Sequence, residues 1–431
     1  MISNNISVGE DGHLYFAGRD TTSLAKKYGT PLYLLDEQKI REKCRTYIRA
    51  MKNAFGGDSH PLFASKALSC RRIYEIMREE GMGTDIVSSG ELYTANSAGF
   101  ALEGAYFHGN NKTDADIAFA MDCSIGYFVC DNEEELYAID REASARGICQ
   151  KILLRITPGI DPHTQEKINT GRVDSKFGAA IETGAADEIT RIALSLPCIE
   201  LCGFHCHIGS QIFDYEPFCD AATIMLNFVA HIKEKFSYEA SQLNLGGGMA
   251  VRYLDTDPEI DYEANIAKMG EIVDRLCCEL SLKKPTILME PGRSIVADAG
   301  MTLYTVGTLK EIKGFKTYVS VDGGMADNPR YALYSSPYTV MLANRANATP
   351  DCVCAIAGRC CESGDLIQEN VSLPRPQRND IVAVLTTGAY NYSMSSNYNR
   401  LPRPALVMLG ECDDYVAVRR ESFEDLIRND L

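Results

Sequence analysis

A chain of 431 residues is long enough for two domains, each with its own core. Its 45% hydrophobic and 24% charged content is ordinary for a globular protein, and its net charge of -16 argues against nucleic acid or an anionic membrane surface as partner. Met1–Ser7 has neither a basic flank nor an apolar core, and no apolar run approaches ~20 residues, so neither a signal peptide nor a membrane span is expected; the sixteen cysteines then predict free thiols in a reducing cytoplasm.

In chain order, His13–Phe16 reads as a strand, Thr22–Tyr28 as a helix and Pro31–Leu35 as a further strand. After Asp36, strand and helix signals alternate. Strands are predicted at Leu62–Ser65, Thr84–Val87, Ala105–His108, Gly126–Cys130, Lys151–Ile156, Glu200–His205, Gln242–Leu245 and Thr286–Met289. Between them lie helix-like stretches such as Arg71–Glu80, Glu91–Ala98, Asp114–Met121, Glu133–Arg146, Ala185–Ser195, Glu216–Phe236 and Tyr262–Leu280. This alternation predicts an α/β fold, a (β/α)8 TIM-type barrel over residues 36–295, with a doubly wound open sheet as the alternative. Past Arg293 the short segments Thr302–Leu309, Thr317–Val321, Cys352–Ala357, Ile381–Leu385, Ala405–Met408 and Tyr415–Val418 predict a second, mostly β domain of residues 296–431, joined by the N-terminal segment 1–35.

Polar and glycine-rich motifs gather at the C-terminal ends of the barrel strands, the face that carries function in this architecture. The first strand ends in Lys66, and an amine there reads either as a lysine with a packed stem and a hydrated head or as a desolvated amine that forms a Schiff base with a carbonyl. The second runs into Ser88-Ser89-Gly90-Glu91, the sixth into His205-Cys206-His207-Ile208-Gly209-Ser210-Gln211. The seventh ends in Gly246-Gly247-Gly248 and the eighth in Glu290-Pro291-Gly292-Arg293; these two turns offer backbone amides to an anion, without the Lys-Ser/Thr ending of a P-loop. Glu290, at the end of an apolar strand, requires a partner, either a protonated pyridine nitrogen or a neighbouring Arg or Lys. His205 and His207, two apart, can share a face, but no third ligand is spaced to complete a metal site, so none is expected. For His205 a satisfied core histidine is the plainer reading.

With Phe63-Ala64-Ser65-Lys66-Ala67, Asp85 to Glu91, Asp174-Ser175-Lys176-Phe177-Gly178, Val321-Asp322-Gly323-Gly324-Met325, Cys361-Glu362-Ser363-Gly364-Asp365 and Gly388-Ala389-Tyr390, these motifs resemble the fold-type III pyridoxal-phosphate decarboxylases of basic amino acids over nearly the whole chain. The resemblance implies pyridoxal phosphate as cofactor and decarboxylation of meso-diaminopimelate to L-lysine, with ornithine, arginine or a D-amino acid as alternative substrates and a racemase or a non-catalytic homologue as alternative activities. It assigns Lys66 to covalent binding of the cofactor, His207 to stacking on its ring, Glu290 to pairing with its nitrogen, and Ser210, Gly247, Gly248 and Gly292 to its phosphate. Tyr390 would touch the cofactor, while Arg293, Arg330 and Tyr334 would bind substrate carboxylates. Cys361, a candidate proton donor alongside Lys66, and Glu362 would reach the site from a partner subunit, which implies a homodimer with shared sites. Two positions depart from the family pattern: Arg359 and Tyr331 stand where proline is usual, which relaxes the loop entries beside Cys361 and Arg330.

Overall fold

The computed structural model describes residues 2–160 and 175–431, so Asp174 of the Asp174–Gly178 motif lies outside the described residues. Two compact units are present. One comprises Lys43–Ala250 and Ile260–Gly292, the other the chain up to Glu42, Val251–Glu259 and Arg293–Leu431.

Among the described residues the barrel of the first unit is built of eight parallel strands, His60–Ala64, Gly83–Ile86, Ala105–Phe107, Tyr127–Cys130, Gln150–Thr157, Ile199–His205, Gln242–Asn244 and Thr286–Met289, with the short strand Ala179–Ala180 added beside the fifth. Each of the eight pairs with the next of them, and Leu288↔His60 and Met289↔Pro61 join the eighth to the first. The sheet therefore closes into a barrel, and the open-sheet alternative is set aside. Short apolar segments suit such strands, which are covered on both faces. Leu62, Tyr106, Val129, Leu153, Cys202 and Leu288 form one buried cluster contributed by six of the strands. Truncating a buried leucine of this cluster to alanine is expected to cost about 2–5 kcal/mol.

The helices between the strands bury one stripe and cap their ends locally. Glu133–Arg146 buries Leu136, Ile139 and Ala143, and the Asn132 side chain accepts from Glu135 N at 3.0 Å. Thr113 and Asp116 form a reciprocal capping box on Asp114–Asp122. The helix Glu37–Phe55 is not among the expected elements, although its buried Ile40, Cys44, Tyr47, Met51 and Phe55 recur at helical spacing.

In the second unit, strands run Lys316–Val321, Gly300–Ile312, Leu32–Asp36 and Ala405–Leu409 across one sheet, with Cys352–Ala357, Leu366–Leu373 and Asp414–Val418 outside them. The N-terminal strand sits inside this sheet: Leu35 pairs with Gly300 antiparallel and Leu32 with Ala405 in parallel. Ile381–Leu385 pairs with Gly300–Ile312 and with the three-residue strand Val340–Leu342. Leu32, Leu34, Met301, Leu303, Ala383 and Val407 lie in one buried core. Val340–Leu342 and Leu366–Leu373 are not expected from sequence, the former for its brevity and the latter for its polar Gln368-Glu369-Asn370 centre. All sixteen cysteines are free. Among the described residues no helix is long and apolar enough to cross a membrane.

Candidate active site

The first barrel strand stops at Ala64, and Ser65–Ala67 forms one 3-10 turn that carries Lys66 outward. Lys66 is exposed, not half-buried; the turn places it beyond the strand end, so burial alone does not prepare its amine. The turn itself is tightly fastened. Ser65 N donates to Asp85 Oδ1 at 3.1 Å, and Ser65 Oγ donates to Glu91 Oε2 at 2.8 Å. Glu91 Oε2 also accepts from Val87 N at 2.8 Å, so the second strand end grips the lysine turn from two directions.

Glu290 is buried at the end of the eighth strand. Its Oε1 accepts from Asn244 Nδ2 at 2.7 Å and lies 2.9 Å from His108 Nε2; its Oε2 lies 3.2 Å from His205 Nε2. Among the described residues two imidazoles and an amide meet this carboxylate, and not the Arg or Lys that is one of the two alternatives. Burial works against ionisation of Glu290, yet the neighbouring His108 and His205 hold it well below the usual carboxylate range. Burial likewise pushes His108 down to about 4 and lowers His205, against the pull of Glu290. Asp85 moves the opposite way: burial and the adjacent Glu290 charge raise it well above its ordinary value, with Lys66 opposing. The two carboxyl groups are thus driven in opposite directions.

The expectation that His205 is a satisfied core histidine is corrected: its Nε2 faces Glu290, but its buried Nδ1 has no partner among the described residues. The third ligand sought beside the His205–His207 pair lies elsewhere. His108, His205 and Glu290 bring ligand atoms within 4.8 Å of one another, while His207 points to the glycine turn. Of these contacts, His205 Nε2 hydrogen-bonds to the carboxylate, whereas His108 Nε2 lies 2.9 Å from it without an aligned hydrogen bond.

Around this acid the backbone forms a tight cradle. A Cβ on Gly247 would lie 2.0 Å from Glu290 O. At Gly248, φ is +121° and a Cβ would meet Gly209 O at 2.3 Å. No side chain fits at either position. Half-buried His207 accepts from Gly247 N through Nδ1 at 3.3 Å, which sets its ring beside the cradle, and burial lowers its pKa well below the ordinary value. Ser210 is half-buried on the same stretch, and Gly292 packs against Ala64 and Ala67 of the lysine turn. Lys66, His207, Ser210, Gly247, Gly248, Glu290 and Gly292 thus all sit at the C-terminal ends of strands in one barrel.

The second unit gathers Arg293, Arg330 and Tyr390 with two residues not expected from sequence, Tyr253 and Tyr338. Arg293 Nη1 donates to Tyr253 OH at 2.7 Å, and its guanidinium lies 4.8 Å from the Tyr390 ring centroid. Arg330 stands 3.6 Å over Tyr253 and 5.0 Å from Tyr338, and its Nη1 donates to Pro337 O at 2.9 Å. Aromatic faces flank both guanidinium groups, and backbone carbonyls also hold that of Arg330. Tyr334 is half-buried at the end of the short helix begun by Arg330. Tyr331 donates to Glu369 Oε2 at 3.0 Å, so a hydrogen bond anchors the position where proline is usual. Cys361 and Glu362 are exposed. Their loop hangs on buried Asp365, which accepts from Cys360 N at 2.7 Å and Met325 N at 2.6 Å, while Cys361 N donates to Asn399 Oδ1 at 2.7 Å.

Residues 37–297 match the family model described as the pyridoxal binding domain of pyridoxal-dependent decarboxylases. The diaminopimelate decarboxylase of Bacillus methanolicus is 45% identical over 96% of both chains, and that of Bacillus subtilis 42% identical over 98% of this chain and 96% of its own. Among solved structures, the diaminopimelate decarboxylase of M. jannaschii in complex with L-lysine superimposes with a TM-score of 0.91 at 32% identity, covering 99% of this chain and 98% of its own. A cofactor with an aldehyde, a basic ring nitrogen and a phosphate fits the exposed lysine, the ionised buried acid and the glycine cradle. With these matches running along nearly all of its length, the chain belongs to the diaminopimelate decarboxylases among the pyridoxal-dependent decarboxylases.

Proposed function

We propose that this protein removes one carboxyl group of meso-diaminopimelate as carbon dioxide and releases L-lysine, using pyridoxal phosphate. The observation that carries the reading is Glu290, a buried carboxylate kept ionised at the barrel mouth that also bears the Lys66 turn and the glycine cradle. When bound, the cofactor supplies an electron sink conjugated to the substrate α-carbon. Lys66 would hold its aldehyde covalently, Glu290 would stabilise a proton on its ring nitrogen, His207 would flank the ring, and the amides of Gly247, Gly248 and Gly292, with Ser210, would receive the phosphate. Asp85, raised well above its ordinary value by burial and the neighbouring Glu290 charge, accepts from the backbone of the lysine turn.

Arg293 and Arg330, with Tyr334, are assigned to substrate carboxylates, and Tyr390 to the cofactor. Cys361 and Glu362 are assigned to the second copy of a homodimer; their exposure in the isolated chain supports that arrangement. Return of a proton to the α-carbon falls to Cys361 or Lys66. The fold organisation proposed is a cofactor-binding barrel of residues 36–295 and a β-rich domain of 1–35 with 296–431, in a cytoplasmic enzyme.

Purified holoenzyme incubated separately with meso-diaminopimelate, L-ornithine, L-lysine and L-arginine tests the substrate. Carbon dioxide and L-lysine in equal amounts from the first are expected. Carbon dioxide from ornithine or arginine alone would replace the reading with another decarboxylase, and α-proton exchange without carbon dioxide would make it a racemase.

A further inference from the structure

We propose that His205 is a positioning residue which, as an N–H donor alongside Asn244, holds the Glu290 carboxylate ionised and turned so that a remaining lone pair receives the cofactor ring nitrogen. The inference rests on the function proposed above and assigns the histidine a role within it. A carboxylate offers about four lone-pair sites. Asn244 Nδ2 donates to Oε1 at 2.7 Å and His205 Nε2 meets Oε2 at 3.2 Å, while His108 Nε2 lies 2.9 Å from Oε1 without an aligned hydrogen bond. The sites left open are the ones an incoming cationic N–H takes.

The chemistry of the donors matters as much as their number. A buried anion matched by a guanidinium or ammonium would have its charge cancelled before any cofactor arrived. Neutral donors stabilise the anion without cancelling it, so the counter-charge arrives with the ring proton and the pyridine stays protonated. Other charged or titratable groups with electrostatic influence here are Lys66, Asp85, Arg155 and His207, from the first, second, fifth and sixth strands or their ends.

Each of these side chains is itself held in place. Asn244 Oδ1 accepts from Gly246 N at 2.9 Å, which fixes which end of the amide faces Glu290. The unpartnered Nδ1 of His205 leaves its proton to Nε2, the nitrogen that faces the carboxylate. His108 N donates to Ile86 O at 2.7 Å, and the turn after it is pinned by buried Lys112, whose Nζ donates to Gly109 O, Val129 O and Glu135 Oε1 at 3.0, 2.9 and 2.6 Å. The two imidazole rings meet edge-on, 4.8 Å between centroids, which restrains both.

The test reads the ring nitrogen directly. Holoenzyme is loaded with pyridoxal phosphate carrying nitrogen-15 in the ring, and its NMR shift is recorded from pH 6 to 8.5 in the parent, His205→Leu and His205→Gln forms. The parent and the Gln form, which keeps a neutral N–H donor, should show the protonated shift throughout. The Leu form should move to the unprotonated shift within that range. A protonated shift in the folded, loaded Leu form would overturn the proposal, as would its loss in the Gln form. Should the Leu form fail to fold or to load, the Gln form decides alone: retention supports it and loss overturns it. An unprotonated ring in the parent enzyme would overturn the brace, whereas failure of the parent to load the cofactor would overturn the function on which it rests.

Discussion

The barrel mouth and the Cys361 loop invite comparison, because both carry groups assigned to one reaction and they are built oppositely. At the mouth, Glu290, His108, His205 and Asn244 are buried, and Glu290 accepts from Asn244 and meets both histidines within 3.2 Å. On the loop, Cys361 and Glu362 lie exposed and only the backbone and Asp365 are fixed. A buried polar network holds its protonation pattern without help from solvent. An exposed thiol gains special chemistry only when something covers it, which on this account is the partner copy.

The largest effect expected is at Lys66. Lys66→Ala should remove the borohydride-sensitive absorbance band and lower carbon dioxide release by about a thousandfold or more, since no other group replaces the covalent bond. Glu290→Gln keeps size but removes the charge; a decrease of roughly a hundredfold to a thousandfold in kcat is expected, a cost comparable to losing a charge-stabilising group elsewhere. Cys361→Ala should lower kcat about a hundredfold if the thiol returns the proton. Because the side chain is exposed, its thermal unfolding midpoint should match the parent. Equal turnover in that variant would move the proton to Lys66 and weaken the contrast between the two regions.

Stability should also separate the units by the sign of its pH dependence. His108 is depressed from 6.5 to about 4 by burial, so its contribution is present above pH 6.5 and is lost as pH falls toward 4. Asp327, in the second unit, is raised by burial from 3.8 to about 7, so its contribution is present below pH 3.8 and declines as pH rises toward 7. Denaturant unfolding across pH 4–8, compared with His108→Gln and Asp327→Asn, should show the acid-side loss reduced in the first and the alkaline-side decline reduced in the second. The same slope in both variants would remove the contrast. A smaller effect is expected at Asp365: replacement by Ala leaves the Cys360 and Met325 amides without their acceptor, for a loss of about 1–3 kcal/mol.

The strand–helix alternation was legible in the sequence because each barrel strand is a short apolar run bounded by polar or glycine residues, and Thr286–Met289 and Arg71–Glu80 have the expected bounds. The strand Leu366–Leu373 was not, because half-covered strands with polar centres carry little apolar signal. Lys66, Glu290 and the glycine turns stood out as motifs at strand ends. The convergence on Glu290 did not: His108 just past the third strand, His205 of the sixth and Asn244 of the seventh meet Glu290 only when the barrel closes. Tyr253 was hidden for a related reason, since a loop distant in sequence brings it to Arg330, whereas Tyr338 lies just past the Arg330 helix.

The most direct test of the central claim is where the cofactor is covalently attached. Holoenzyme treated with borohydride and digested should yield one phosphopyridoxyl-modified peptide, labelled at Lys66, with the absorbance band abolished. Modification at a different lysine, or an unmodified Lys66 peptide after reduction of a fully loaded enzyme, would contradict the account.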